Sequence, residues 1–294
     1  DAASAALYGS RGANGVIIIT TKQGDQNTKA TVKVKASLGG SNRAVRDYDR
    51  VSTDQYFELY WEALRNQYAK SADYTPATAA AQASKDLVTK LMGGGPNPYG
   101  PQYAQPVGTD GKLVAGARPL WNSDWSDAME QQALRTELNL SVSGGGKANQ
   151  YFFSAGYLND KGIALESGYQ RFNLRLTNKL KVFDNFSIES VIAYNRQDQV
   201  APSQLNRTLT SSYPQPGLPA STIDGKPYSW GTWLSPIWFA ELGGDNKLKV
   251  SEINISEKFT YNINKHLDVV ANLGYNSGVA SRDIKKMAIT SYNY

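Results

Sequence analysis

Residues that could perform acid–base or nucleophilic chemistry are sparse in this chain of 294 residues. The sequence contains one histidine and no cysteine. A serine-hydrolase triad would have to be built on His266, which lies in a predicted tight turn where a solvated side chain needs no catalytic role. Without cysteine there is no thiol nucleophile, disulfide or zinc-thiolate site. The sequence therefore predicts a protein that is not an enzyme and that carries no cofactor.

Oxygen ligands for a metal ion occur in two short segments of the chain. Asp47 and Asp49 form one, and Asn122, Asp124 and Asp127 form the other. Calcium accepts ligands at such spacings, but neither segment contains a complete binding loop. We predict that these are solvated loop residues and that there is no metal site, with calcium as the alternative.

The six tryptophans lie in two long segments between predicted strands, residues 39–135 and 198–247. An exposed indole offers a flat apolar face to a sugar ring or to a partner protein, and tryptophan is enriched in interface hot spots. Packing of the loops against themselves is the alternative interpretation. The tryptophans expected at a ligand or partner contact are Trp121, Trp125, Trp230, Trp233 and Trp238.

Alternation of apolar and polar residues predicts the elements that carry these loops. Val32, Val34, Ala36 and Leu38 share one face of a strand, and the polar residues between them share the other. This period of two is the signature of a half-buried strand. Seven segments show it, at residues 30–38, 136–143, 150–158, 169–180, 186–197, 250–261 and 267–275.

The lengths of the connections between these strands alternate along the chain. In order they are long, short, moderate, short, long and short, so every short turn falls at one end of the sheet and every longer loop at the other. Outer-membrane β-barrels show this asymmetry, with short periplasmic turns and long extracellular loops. A soluble β-sandwich has no reason to sort its loops in this way. The pattern predicts an all-β fold, part of an antiparallel transmembrane β-barrel.

Two helices are predicted inside the first long segment. Ser52 and Gln55 form a plausible capping box before a helix that extends to Lys70. Thr75 and Pro76 have the cap and first-turn chemistry of a second helix, which the glycines from residue 93 would end. The second long segment contains several prolines, which exclude a central strand there.

One predicted strand has basic residues on the face opposite its apolar side chains. Arg171, Arg175 and Lys179 lie on this face, and Phe172 and Leu174 lie on the other. In a barrel with an apolar exterior, the basic face points inward. We predict that these three residues line the lumen, as solvated wall residues or as partners of carboxylates on a domain inside the barrel.

The first 22 residues follow a different pattern. An alanine-rich helical segment ends at Tyr8 and Gly9, a polar turn follows, and residues 16–19 are apolar at every position, as in a strand buried on both faces. In order and spacing this string resembles the end of the plug domain in SusC/RagA-type TonB-dependent outer-membrane transporters. The matching residues include Tyr8, Gly9, Ser10, Arg11, Gly12, Ala13, Asn14 and Gly15.

The resemblance implies an architecture and a function. It implies an α/β plug domain ending near residue 24, followed over residues 25–294 by part of a barrel of about 22 strands. It also implies active import of glycans or peptides, with a SusD-like surface lipoprotein as the barrel's partner and lid. Energy would come from the TonB complex, through a segment that the family places upstream of Asp1. The expected location is in the lipid of the outer membrane of a Gram-negative bacterium.

Seven strands cannot close a membrane barrel, since the smallest has about eight. We therefore expect this chain to be a fragment, with further strands beyond Tyr294. The net charge of +5 is spread out, without the basic run of a nucleic-acid arm, so no nucleic acid is expected as a partner. A passive surface protein that binds carbohydrate or host protein is the alternative function, and a soluble carbohydrate-active enzyme is the third.

Overall fold

The computed structural model describes residues 9, 21–45, 49–202, 215–222, 228, 235–241 and 244–286. Within these residues, seven strands form one antiparallel sheet in which every strand pairs with its neighbours in sequence. The strands are β1 (Thr28–Ser41), β2 (Ala133–Gly145), β3 (Asn149–Lys161), β4 (Gly168–Phe183), β5 (Phe186–Pro202), β6 (Asp245–Asn264) and β7 (Leu267–Ile284).

The register places apolar residues of neighbouring strands side by side. Leu140 pairs with Val34 and with Ala155, and Ala155 pairs in turn with Leu174. Because side chains alternate between faces, these residues form one continuous apolar surface, here called the outward face. Much of it is solvent-exposed, with Val34 at 74%. The opposite face, here called the inward face, is mostly polar.

All seven predicted strands are confirmed, and each of them extends further than predicted at one end or both. The last strand continues from residue 275 to Ile284, and β6 begins at Asp245 instead of residue 250. Alternation detects only the part of a strand that has one apolar face, whereas the hydrogen-bonded ladder also forms between polar residues. β1 ends at Ser41 and β2 begins at Ala133, while β5 ends at Pro202 and β6 begins at Asp245, so strand residues extend into both predicted loop segments, 39–135 and 198–247.

The two predicted helices are also confirmed, as α1 (Thr53–Tyr68) and α2 (Pro76–Met92). Capping boxes begin both, and Gly93 ends α2 in the left-handed conformation with φ of 57°. Two shorter helices, α3 (Trp125–Ala128) and α4 (Pro236–Glu241), were not predicted because one turn or so gives no readable period. In the described part of the chain, no helix has the length and apolar character needed to cross a membrane.

The main buried core lies within the first long loop. Phe57 and Tyr99 are fully buried and meet edge to face, with ring centroids 5.1 Å apart. The buried Trp61 indole donates a hydrogen bond to Ser84 Oγ at 2.8 Å and so ties α1 to α2. This loop core consists of Phe57, Trp61, Leu64, Ala83, Leu87, Met92, Tyr99 and Val107.

Candidate functional site

A short segment of the second long loop docks on the first long loop, at the end of the sheet opposite the tight turns. The indole nitrogen of Trp121 donates to the carbonyl of Gly217. The indole nitrogen of Trp125 donates to the carbonyl of Gln215 at 3.3 Å. Two tryptophans of one loop therefore hold the backbone of the other, and we call this arrangement the loop clasp.

Three further contacts reinforce the loop clasp. The amide of Ser123 donates to the carbonyl of Pro216 at 3.0 Å, and the side-chain amide of Gln215 donates to the carbonyl of Leu91 at 3.3 Å. Gly217 packs so closely that a Cβ there would lie 3.1 Å from an edge carbon of Phe57 in the loop core. The sequence signals a turn at Pro216 and Gly217, but nothing in it identifies the surface that this turn meets.

The tryptophans expected at a ligand contact divide into two groups. Trp125 and Trp238 are buried, at 1% and 9% exposure, and Trp121 is partly buried with its N–H engaged in the loop clasp. These positions favour the packing interpretation, which the sequence left open. Trp230 and Trp233 lie outside the described residues. Contact of these tryptophans with a ligand or a partner stays a prediction.

A cleft of about 460 Å³ opens beside the loop clasp, between the start of α1 and the segment around Trp125. Hydroxyl, amide, phenol and guanidinium groups face it, which suits the hydroxyls of a sugar or the backbone of a peptide. Arg50 is held at its edge by a 2.8 Å hydrogen bond to Ser126 Oγ. The lining includes Arg50, Ser52, Gln55, Tyr56, Asn122 and Asp124.

The inward face of the sheet carries charged residues in register. Lys179 of β4 pairs with Glu189 of β5, which pairs in turn with Lys258 of β6. Glu189 also accepts a 2.8 Å hydrogen bond from the side chain of Gln23, in the segment that precedes β1. That contact places the end of the predicted plug segment against the inward face, on the same side as Arg171 and Arg175.

The two arginines lack protein partners within the described residues. Their Nε atoms are buried without a hydrogen bond, and so is the hydroxyl of Thr177, which lies on the same face at 1% exposure. An interior with unsatisfied donors is costly unless water or a further group satisfies them. The structure thus places Arg171, Arg175 and Lys179 together on the inward face, and a lumen-lining role for them remains a prediction.

The candidate catalytic and metal-binding residues are engaged in structural contacts or exposed. His266 lies in the exposed turn between β6 and β7. Asn122 Oδ1 accepts from the backbone amide of Thr53 at 2.8 Å, and Asp124 caps α3. In the described residues there is no group of three His, Cys, Asp or Glu side chains that could hold a metal ion. Asp47 lies outside them, as does the plug motif except Gly9.

Two tyrosines in the loop region have raised pKa values. Burial and a 2.7 Å hydrogen bond to Asp54 raise the pKa of Tyr99 strongly. A hydrogen bond to Asp86 raises the pKa of Tyr68 to about 12. The hydrogen bonds that Asp86 accepts from Gln82 and Tyr68 lower its own pKa. These groups stabilise the loops and are not arranged as an acid–base pair facing the cleft.

Comparison with known proteins gives two kinds of match. The chain is 31% identical over 228 residues to a TonB-dependent receptor of Formosa agariphila, which covers 76% of this chain and 18% of the relative. It is 30% identical over 172 residues to the TonB-dependent receptor SusC of Bacteroides thetaiotaomicron, which covers 58% of this chain and 12% of the relative. The chain thus spans less than a fifth of these relatives. No family model matches it.

Solved structures match almost the whole chain. The RagAB peptide importer in its closed-closed state superposes on 98% of this chain, over 32% of its own, with a TM-score of 0.69 and 19% identity. The open-open state of that importer superposes on 100% of this chain with a TM-score of 0.70 and 18% identity. The fold is therefore that of a partial antiparallel β-barrel with long loops at one end.

Among β-barrel proteins, the two sequence matches indicate the family that this chain resembles. Both relatives described above are TonB-dependent receptors, and one of them is SusC. They confirm the resemblance to SusC/RagA-type TonB-dependent transporters that the first 22 residues indicate. These relatives are named as receptors, and the structural neighbours as importers, not as enzymes.

Proposed function

We propose that the protein containing this chain imports glycans or peptides actively across the outer membrane of a Gram-negative bacterium. Sequence similarity to TonB-dependent receptors carries the proposal, because it coincides with a barrel sheet whose long loops gather at one end. The energy would come from TonB. No coupling residue of this chain is assigned to that contact.

A SusD-like surface lipoprotein is the proposed partner of the barrel. The similarity to SusC and the fold of the RagAB importer support it. The loop clasp adds a physical argument, since two loops joined into one body give a lid a firm surface to close on. Ligand would be captured between that lid and the cleft beside α1. A rearrangement of the plug would then open a path along the inward face.

Passive binding at the cell surface is the alternative function, and uptake separates it from import. The full-length gene would be deleted in its host and restored on a plasmid. Uptake of labelled oligosaccharides and of labelled peptides would then be followed with and without a protonophore. Import predicts accumulation that requires both the gene and the proton gradient. Binding that persists unchanged after the gradient is dissipated, with no accumulation inside the cell, would establish the passive function instead.

A substitution in the loop clasp can be tested in the same uptake assay. Gly217→Val adds side-chain atoms at a position where even a Cβ would lie 3.1 Å from Phe57, and we expect it to open the clasp. Gly146→Val, in the β2–β3 turn, is the matched control because a Cβ there meets no atom within 4 Å. Import through a clasp-supported lid predicts slower uptake by the first variant and normal uptake by the second. Equal uptake by both would remove the clasp from the mechanism.

A further inference from the structure

The outward face of the sheet changes from apolar to charged near the strand ends that carry the longer loops. On three neighbouring strands the aromatic band ends at Tyr157, Phe172 and Tyr194. The register places Arg196 directly beside Phe172, and Asn159, Gln170 and Asp198 follow in the next row. In a membrane barrel, an aromatic band marks the interface between hydrocarbon and headgroups. The charged rows therefore lie at headgroup level.

A groove of about 590 Å³ occupies this level, across β3 to β6. Most of its strand residues have outward-facing register positions, so the groove lies on the membrane side of the sheet and not on the inward face. The residues that matter here are Lys161, Gln170, Arg196, Asp198, Lys247 and Lys249. None of them belongs to the cleft beside the loop clasp.

The charges of this groove are only partly paired. Arg196 Nε donates to Asp198 Oδ2 at 3.1 Å, and Lys247 pairs with Asp245. Lys161 and Lys249 have no ion pair within the described residues, although the register of β5 and β6 places Lys249 beside Asp198. Glu166 is the other carboxylate of the lining, so four basic side chains face two carboxylates, and the groove keeps a net positive charge even with Asp245 paired to Lys247.

One acceptor in the groove is unsatisfied. Asp198 Oδ1 is buried and accepts no hydrogen bond from the described residues. A buried carboxylate oxygen without a donor is unfavourable, so a ligand with hydroxyl groups would be stabilised there. An anionic group of the same ligand would be stabilised by Lys161 and Lys249, which have no ion pair in the part of the chain that the structure describes. A phosphorylated sugar offers both kinds of group, and at headgroup level it would be attached to a lipid.

We propose that this groove binds the phosphorylated glycolipid of the outer leaflet, with its phosphate at Lys161 and Lys249 and a sugar hydroxyl at Asp198. The inference rests on the proposed function, because that function places the sheet in the outer membrane. Bound glycolipid would anchor β3 to β6 at a fixed depth in the leaflet. This role does not involve the imported substrate.

The experiment uses the full-length receptor in phosphatidylcholine nanodiscs that contain lipid A, a bisphosphorylated glycolipid. Lipid A bound per receptor would be titrated by native mass spectrometry for the wild type and for K161A/K249A. The double variant should bind about 30-fold more weakly, because each cation near an anionic headgroup contributes about fivefold. K33A/K35A is the matched control, because it removes two lysines from the inward face of β1 and should bind like the wild type.

Three competing ligands test the chemistry without any variant. Dephosphorylated lipid A should fail to displace lipid A, and so should inorganic phosphate at millimolar concentration. Phosphatidylglycerol at equal charge should compete weakly, since it lacks the sugar. Equal binding by wild type and K161A/K249A, or displacement by phosphate or phosphatidylglycerol as effective as by lipid A, would overturn the assignment. A receptor that does not enter nanodiscs at all would instead contradict the membrane barrel and so the proposed function.

Discussion

The sheet and the first long loop use apolar residues in opposite ways. On the outward face, Val34 and Leu273 are 74% and 64% exposed, whereas in the loop core Phe57 and Leu87 are fully buried. The sheet buries almost none of its large aliphatic side chains, and the loop buries a compact set of them around Trp61. In the proposed outer-membrane location, the apolar residues of the sheet face lipid, whereas those in the loop are buried away from water.

This difference separates the forces that hold the two regions together. Backbone hydrogen bonds between strands are the main contacts within the sheet, and they gain strength where water is excluded. The loop depends on close packing, like any water-soluble domain. Equivalent substitutions should therefore have different consequences in the two regions, and the following predictions test that comparison.

The largest effect is expected in the loop core. Phe57→Ala should destabilise the first loop by about 3–5 kcal/mol, because it removes a fully buried ring and leaves a cavity. Leu140→Ala on the outward face should cost less than about 1 kcal/mol, since lipid fills the space. Limited proteolysis of the receptor within residues 42–132 measures the first change, and urea unfolding of the receptor in lipid vesicles measures the second. Equal losses of stability for the two variants would contradict the comparison.

A charge on the outward face should have the next largest effect. Leu140→Arg places a cation in the apolar band and should destabilise barrel assembly by about 2–4 kcal/mol. Asn139→Arg, one residue away on the inward face, is the matched control and should change assembly little. Urea unfolding of the receptor in lipid vesicles measures the difference. If the two variants unfold at the same urea concentration, the outward face does not contact lipid.

The contact between the two long loops should show an intermediate effect. Gly217→Val crowds Phe57, Thr53 and Pro98, and overpacking of this kind costs about 1–3 kcal/mol. Protection of the first loop against protease should fall, while the stability of the barrel stays at the wild-type value. Destabilisation of the barrel by the same amount would show that loops and sheet unfold as one unit. The sheet and the first long loop would then not be stabilised independently.

The smallest effect concerns the ionisation of Tyr68. Its pKa is raised from 10 to about 12 mainly by the hydrogen bond to Asp86, so the stabilisation is complete below pH 10 and is lost as the pH rises through about 12. Asp86→Asn should move the Tyr68 transition down toward 10. The phenolate difference spectrum measures it, with Tyr68→Phe to assign the signal. An unchanged transition would exclude Asp86 as the cause.

The strands and helices were predictable because each has a local signal. Alternation assigns a face to the residues of each predicted strand, such as Val32 in β1 and Tyr275 in β7, and the cap at Ser52 and the stop at Gly93 bound the helices. These signals depend on side chains within a few positions of one another. The polar strand ends, such as the stretch from residue 276 to Ile284, carry no such signal, because they depend on pairing with the neighbouring strand.

The sequence by itself determined the antiparallel sheet, its two faces and the sorting of the loops, since periodicity and turn chemistry are properties of short segments. Only the tertiary structure decided what those loops do. It joined Trp121 and Trp125 to a turn about 90 residues away in the chain, and it brought cations from three strands, β3, β5 and β6, into one outward groove. Contacts over such separations depend on how the sheet positions distant segments, and no local pattern records them.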